Sequence, residues 1–568
     1  MLDLLRAMAL VGVAWIGLGL IFTGLGLAAA RLVGKRTSGG FADLLHAFWT
    51  GWALAIVVLQ MWHMALKIDA WPLLALAVGG VVGLTWNRRD LLALAGRLIQ
   101  TRRVWPWLAL LAVLSVWLAN HAIDTVLNYD SGLYHFQAVR WNTTYRLVPG
   151  LGNLHGRLAF NSSYFLFVGL LDVGPWAGHA HNVAPGLLLL AVFARVLLGA
   201  YRLIGSKTWR WADLLAVLLF APAFEVMIVD HRVSSPSPDV PVLLLGIVLA
   251  LWLADFLDRE GDLRALGQLV LLAAVGVTVK LSFVVFGAGC ALLALGSWAW
   301  RNRQHRVRLV YGAGGMALLA ALALVPWMVR GIILSGYPVY PSTIGNISAE
   351  WAVPREQAEN EARWVRSWGR DDKVHWSAVL DNWNWFKPWA ERVSGQDGLR
   401  IPLALVVAAA VALAKRRFYD RAPLAAPHWT WLVLLPTLPA LVFWFFASPD
   451  LRFAGAAWWV LGLGSLAVAL AAYNAREQAV TVALAVTLAL IALNPVQVLN
   501  FVGPGDDGGF SAIPAAEVEQ TESEHGVTIY VPVSGDQCWD APLPCAPGER
   551  PQLAQRETGD WQAGFNTN

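Results

Sequence analysis

Charge is scarce in this chain. Only 14% of its 568 residues are Asp, Glu, Lys or Arg, against 57% hydrophobic, a balance that excludes a soluble enzyme of ordinary composition. Cysteine is scarcer still, at three residues, so each can be weighed singly. No small-residue cleavage site follows the first apolar run, which begins at Met8 and reads as a retained span. No nucleic-acid motif is present, and the net charge of +4 is spread over loops rather than gathered in one tract. Nucleic acid is therefore not an expected partner, and the charges speak for topology. With a mean hydropathy of +0.53, the chain reads as an all-α, polytopic integral membrane protein. Its 31 Trp residues cluster near the ends of apolar runs, where indoles sit in an interfacial belt.

Apolar runs able to cross about 30 Å of hydrocarbon fall near 8–29, 43–66, 71–86, 105–122, 182–200, 212–229 and 240–256. Others lie near 265–279, 282–300, 309–329, 401–414, 429–447, 454–472 and 478–495, about fourteen in all. Residues 265–300 are too long for one span, so a hairpin turns near Lys280. Six basic clusters share one register and are expected in the cytoplasm. They are Arg31/Lys35/Arg36, Arg88 to Arg103, Arg202/Lys207/Arg210, Arg259/Arg264, Arg301 to Arg308 and Lys415 to Arg421. The expected plan is N-terminal helices over 1–123, a first large periplasmic loop over 124–181 and central helices over 182–329. A periplasmic loop with an interfacial helix from about Ala349 to Arg392 occupies 330–400, C-terminal helices 401–496 and a small periplasmic tail 497–568. Residues 503–509, rich in Gly and Asp, read as a flexible linker into that tail.

The polar, aromatic, Gly-rich stretch from Asn128 to Arg157 is set between apolar runs and must face water. It carries Tyr129, Asp130, Tyr134, His135, Arg140, His155 and Arg157. Asp130 reads either as a helix N-cap or as a carboxylate that accepts a proton or holds a metal. His135 reads as a proton shuttle or as a hydrogen-bonding loop residue. Asp239, Lys280, Arg330 and Arg452 each stand at the outer end of a span, and together they are better explained by a site than by four separate snorkelling anchors. Arg and Lys suit a phosphate, although Arg452 can instead pair with Asp450. Gly150, Gly152 and Gly156 read as a turn, since no strand precedes them. The sequons at Asn142, Asn161 and Asn346 read as chance matches. Cys290, inside an apolar run, reads as packing. Cys538 and Cys545 are close enough to close a small loop outside the cytoplasm, and no His stands near them as a metal ligand, so a disulfide is expected.

The segments YDSGLYHFQAVRW, PGLGNLHGRLAFNSS, SSPSPD, VKLS, SGYPVYP and SPDLRF resemble those of a family of bacterial multi-span proteins related to the GT-C superfamily of glycosyltransferases. The resemblance covers roughly residues 105–460. It implies a GT-C-like fold in the bacterial inner membrane and transfer, on the periplasmic face, of a sugar from a polyprenyl-phosphate donor to a glycan or lipid acceptor. It implies Asp130 as base or metal ligand, Asp239 as the second acidic position, and Lys280, Arg330 and Arg452 on the donor phosphate. Catalytic roles are thus expected of Asp130, His135 and Asp239. Substrate contacts are expected of Tyr129, Tyr134, Arg140, His155, Arg157, Lys280, Arg330, Tyr337 and Arg452. The acidic loop follows the fourth run rather than the first and lacks a D-x-D or D-E pair, which leaves a divalent metal, Mg or Mn, open. The alternatives are a polymerase or ligase of polyprenyl-linked glycans, using the same face and similar Arg residues, and a transporter. Against the transporter, polar residues cluster at one face and no inverted repeat is evident.

Overall fold

The computed structural model describes residues 1–567 apart from 35–39, 206–209, 229–231, 425, 474–475 and 494–499. Lys35, Arg36 and Lys207 of the basic clusters, and Asp230 and His231 of the loop before Asp239, lie outside the described residues. The chain is mostly helical, 68% helix against 4% strand. Among the described residues nine helices are long and apolar enough to cross a membrane: Leu2–Leu32, Phe41–His63, Arg102–Ala122, Ala180–Gly205, Asp239–Asp258, Leu281–Arg301, Arg306–Ser335, Asp397–Tyr419 and Trp429–Ala447. Ala70–Trp86 bends by 71° into Arg88–Gln100, and Trp211–Phe224, Leu263–Val279, Ala457–Ala472 and Glu477–Ile491 are shorter apolar helices. Every apolar run read from the sequence overlaps one of these helices, and the chain is a helical membrane protein.

Glycine sets how closely the first three helices approach. A Cβ at Gly24 would lie 2.1 Å from the Gly80 carbonyl oxygen, and one at Gly26 would lie 1.9 Å from that of Ala47. Such backbone contact gains dispersion energy where lipid removes the hydrophobic drive between helices. The basic helix ends gather on one side of the bundle. Arg31 Nε donates to Asn87 Oδ1 at 2.9 Å, Arg210 reaches Asp258 at 2.8 Å, and Ala30, Asp43, Arg202 and Arg259 border one common cavity. The hairpin turn comes where the apolar length requires it: the chain leaves the helix at Val279, is extended at Lys280 and re-enters a helix at Val284.

Two expectations need correction. The single interfacial helix from Ala349 to Arg392 is two helices, Arg355–Trp368 and Phe386–Ser394, joined by an irregular segment. Arg370 holds that segment folded, donating from Nη1 to the Val379 carbonyl at 2.7 Å. The first of these helices ends at Gly369, which lies so close to the next segment that a Cβ there would meet the Pro449 nitrogen at 2.6 Å. Residues 503–509 are docked rather than free. Asn120 bonds both backbone groups of Val502, at 2.8 and 3.0 Å, and Ser511 N–H donates to the Ile123 carbonyl at 3.0 Å.

The tail carries the strands found among the described residues. It holds two antiparallel pairs, β1 (Val518–Glu522) with β2 (Thr528–Pro532) and β3 (Leu553–Gln555) with β4 (Phe565–Thr567). These strands close over the Asn128–Arg157 stretch. A Cβ at Gly132 would lie 2.5 Å from the Trp539 ring, and Gly150, with φ of 64°, lies against the Phe565 carbonyl. Two of the loop's glycines are therefore places where the tail seats. Cys538 and Cys545 are joined as expected, and Cys290 is buried and free.

Candidate functional site

Four separate segments bring their charged groups to one cavity of about 260 Å³. Asp130 opens a π-helical turn, Ser131–His135, that runs into the helix Phe136–Thr144. Arg157 stands in the 3-10 turn Gly156–Phe160. Lys280 is the extended residue of the hairpin, and Arg452 lies in the short turn Leu451–Ala454, where the Asp450 carboxylate caps the Arg452 N–H at 3.0 Å. All these positions are breaks between helices. A break leaves the backbone free to aim a charged side chain inward, and such irregularity is tolerated at membrane depth where it lines a cavity.

Asp130 does not cap a helix with its side chain. Its two carboxylate oxygens accept from two guanidinium groups instead: Oδ1 from Arg157 Nη1 at 3.1 Å and Oδ2 from Arg452 Nη1 at 2.8 Å. Arg157 also faces Glu361 at 3.4 Å. Lys280 is ion-paired to Asp239, which is the first residue of the helix Asp239–Asp258. Lys280 and Arg452 flank one ring, with Nζ 4.4 Å and Cζ 4.7 Å from the Phe453 centroid. The cavity surface carries Arg157, Lys280, Arg366 and Arg452 against the single carboxylate of Asp130, between walls formed by Tyr134, Phe165, Phe443 and Trp444. It is a cationic pocket with apolar sides.

Burial alone would raise the Asp130 carboxyl, but the Arg452 and Arg157 charges outweigh it and hold it below the usual carboxylate range. Burial likewise works against the Arg157 and Arg452 cations, yet both are raised, Arg157 by Glu361 and Asp130 and Arg452 by Asp239 and Asp130. The His135 imidazole is pushed down to about 4, chiefly by burial. It stays neutral, with Nδ1 3.2 Å from the Ser131 hydroxyl, which is itself 2.8 Å from that of Ser235. His135 thus joins the Asn128–Arg157 stretch to the loop before Asp239 from behind the cavity wall.

Of the residues singled out in the sequence, Asp130, Tyr134, Arg157, Lys280 and Arg452 border the cavity, with Asp239 directly behind Lys280. The others do different work. Arg330 is 2% exposed and donates to Asn161 Oδ1 at 3.1 Å, with Nη1 2.6 Å from His63 Nδ1. It secures the left-handed residue that ends the Arg157 turn. Tyr337 is buried and donates to the Val353 carbonyl. His155 is buried against Tyr134. Tyr129 and Arg140 face the tail, paired with Asp536 and Asp540; burial and the Asp536 carboxylate push the Tyr129 phenol up to about 12.

Glu361, Arg366 and Trp368 were not singled out. Val365, Arg366 and Trp368 of the helix Arg355–Trp368 border the cavity, and Glu361, one turn before Val365, meets Arg157 from behind it. The residues present do not fit a divalent metal. Both Asp130 oxygens are engaged by cations, Asp239 by a third, and no group of three His, Cys, Asp or Glu comes together among the described residues.

The model of the family described as Domain of unknown function (DUF8201) matches residues 8–459. No curated protein and no solved structure matches the chain. The matched region holds every residue of the cavity and ends before the tail, and the chain belongs to this family.

Proposed function

We propose that this member of the DUF8201 family is a GT-C-like membrane glycosyltransferase that moves a sugar from a polyprenyl-phosphate donor to a glycan or lipid acceptor. In this reading the chain sits in the bacterial inner membrane with fourteen spans, and the cavity opens on the periplasmic face. The observation that carries it is the cavity surface: four cations against one carboxylate, with aromatic and aliphatic walls, at a helix end. A phosphate attached to a hydrocarbon chain asks for that combination, guanidinium forks and an ammonium for the anion and an apolar flank for the lipid.

The acceptor hydroxyl attacks the anomeric carbon, the bond from that carbon to the phosphate oxygen breaks, and the polyprenyl phosphate leaves with the electron pair. Arg452, Arg157 and Lys280 stabilise the charge it carries away. The hydroxyl proton passes to Asp130. With no donor bound, both Asp130 oxygens are committed to arginine; a donor phosphate competes for the same guanidinium groups and releases the carboxylate as it binds. Asp130 therefore becomes an effective base only when the donor is in place.

The double engagement of Asp130 also favours a second reading, a polymerase or ligase of polyprenyl-linked glycans in which Asp130 only positions the two arginines. The protein reconstituted in nanodiscs with a polyprenyl-phosphate sugar tests the phosphate site common to both. Wild type binds the donor and Arg452→Ala binds it about tenfold or more weakly, the loss expected for one charge-assisted contact. Undiminished binding by both Arg452→Ala and Lys280→Ala removes the basis of either reading.

A further inference from the structure

The helix Phe136–Thr144, which continues the segment that borders the cationic cavity, borders a second cavity of about 260 Å³. The same two segments build both. Asp130 and Tyr134 of the first segment and Pro238 of the loop before Asp239 border the first cavity; Phe136 and Arg140, one to two turns on, and Pro236 border the second. The tail closes its far side with Ile513 and Asp540, and Asp540 is held there by the loop between the joined Cys538 and Cys545. Arg140 Nη1 reaches across to Asp540 Oδ1 at 2.9 Å.

The second cavity differs from the first in chemistry. Its charged groups are Arg140 against Asp172 and Asp540, so it holds no cationic surplus, and Thr143 and His181 add neutral hydrogen-bonding groups beside the Phe136 ring. His181 is 3% exposed and its Nε2 has no partner among the described residues. A buried polar atom left unpaired costs stability unless something else satisfies it. Asp172 accepts the Gly178 N–H at 2.6 Å through Oδ1, which leaves Oδ2 outside that contact. Carboxylate acceptors, an imidazole, a hydroxyl and an aromatic face with no net positive charge suit a ligand rich in neutral hydroxyls and bearing one apolar face. Neither an anion nor a bare hydrocarbon matches that set.

We infer that this second cavity is a neutral-saccharide site, where the glycan acceptor is held with its reactive end toward the Asp130 cavity. The word acceptor rests on the function proposed above; the binding of sugar does not. The full-length protein in nanodiscs, applied to an array of neutral oligosaccharides, is the test. Wild type retains at least one glycan, and Asp172→Asn and Thr143→Val each weaken that glycan about tenfold, the loss of one good hydrogen bond. Asp172→Asn keeps an oxygen for the Gly178 contact, and Thr143→Trp fills the space, removing, as Thr143→Val also does, only the 3.2 Å bond from Thr143 Oγ1 to the Arg140 carbonyl within the helix. Each variant is compared at unchanged melting temperature with the tail disulfide intact. Arg452→Ala leaves glycan binding unchanged, which separates this site from the phosphate site. An array that retains no glycan overturns the inference. So does a glycan held equally by Asp172→Asn, Thr143→Val and Thr143→Trp, or one lost with Arg452→Ala.

Discussion

The two ends of the helix bundle are built from the same inventory of Arg and Asp and use it in opposite ways. At the end that gathers the basic clusters, Arg195 and Arg202 both meet Asp213, at 2.9 and 3.6 Å, and Arg210 bridges Asp255 and Asp258 at 3.1 and 2.8 Å. Carboxylates and cations alternate there, and the cavity beside them shows Asp43, Asp255, Glu260 and Asp262 as well as arginines. At the other end the cations face the cavity while Asp239, Glu361 and Asp450 stand behind them. Composition does not distinguish the two groups. The side from which each carboxylate approaches does, and only the second arrangement leaves positive potential for an anionic ligand.

The comparison breaks most sharply at the residue where paired and functional roles meet. Asp130→Asn keeps the shape of the carboxylate and removes its basicity; sugar transfer falls on the order of 10²–10⁴-fold while donor binding persists. The change is measured at matched membrane abundance. Undiminished transfer moves the polymerase or ligase reading ahead.

Arg195→Ala tests the opposite end. Asp213, with a side chain 1% exposed, loses its nearest cation and keeps Arg202 at 3.6 Å, and stability falls by about 1–3 kcal/mol, read as a lower melting temperature in detergent. Arg452→Ala, whose ion pair is partly exposed and whose partner keeps Arg157, costs about 1 kcal/mol at most. Equal losses would mean that the two groups are both structural.

Acid sharpens the contrast further. The His135 imidazole is held at about 4 against an ordinary 6.5, so the folded state favours the neutral ring. Its contribution is fully present above pH 6.5 and is lost as pH falls from there toward 4, because the unfolded chain takes up the proton first. Melting temperatures between pH 7 and 4.5 should show a loss of up to roughly 3 kcal/mol. His135→Gln should lessen that loss, while the share from His155 and His179, whose imidazoles burial also lowers, remains.

The most local expected effect lies in the tail. Replacing Cys538 and Cys545 with Ser opens a short loop and costs about 2 kcal/mol of local stability. Faster amide exchange in the tail and around Gly132, with the helices unaffected, is the signature. On the proposed topology, reporters fused at the C-terminus and after Gly150 should both read periplasmic, where a disulfide persists, and those after Arg103 and Lys415 cytoplasmic.

What the sequence determined by itself is the membrane class, the position of each apolar helix, the hairpin at Lys280 and the Cys538–Cys545 bond. These are local properties: a span is a count of consecutive apolar residues, a turn is a length that exceeds one span, and the bond joins two residues seven apart. Asp239, Lys280, Arg330 and Arg452 were also legible as a group, because an ionisable residue at a span end is costly wherever it occurs, and Asp130 and Arg157 were legible as members of one water-facing stretch. Only the tertiary structure decided what each of them meets. Arg330 and Arg452 look alike in the sequence, each at the outer end of an apolar run, yet one faces His63 and Asn161 in the core and the other holds Asp130. Which way a side chain points depends on the rotation of its helix against neighbours hundreds of residues away, and on packing that no local pattern encodes. The same holds for the tail: Trp539 finds Gly132 across 407 residues of chain, because the surface both bury exists only once the helices between them have assembled.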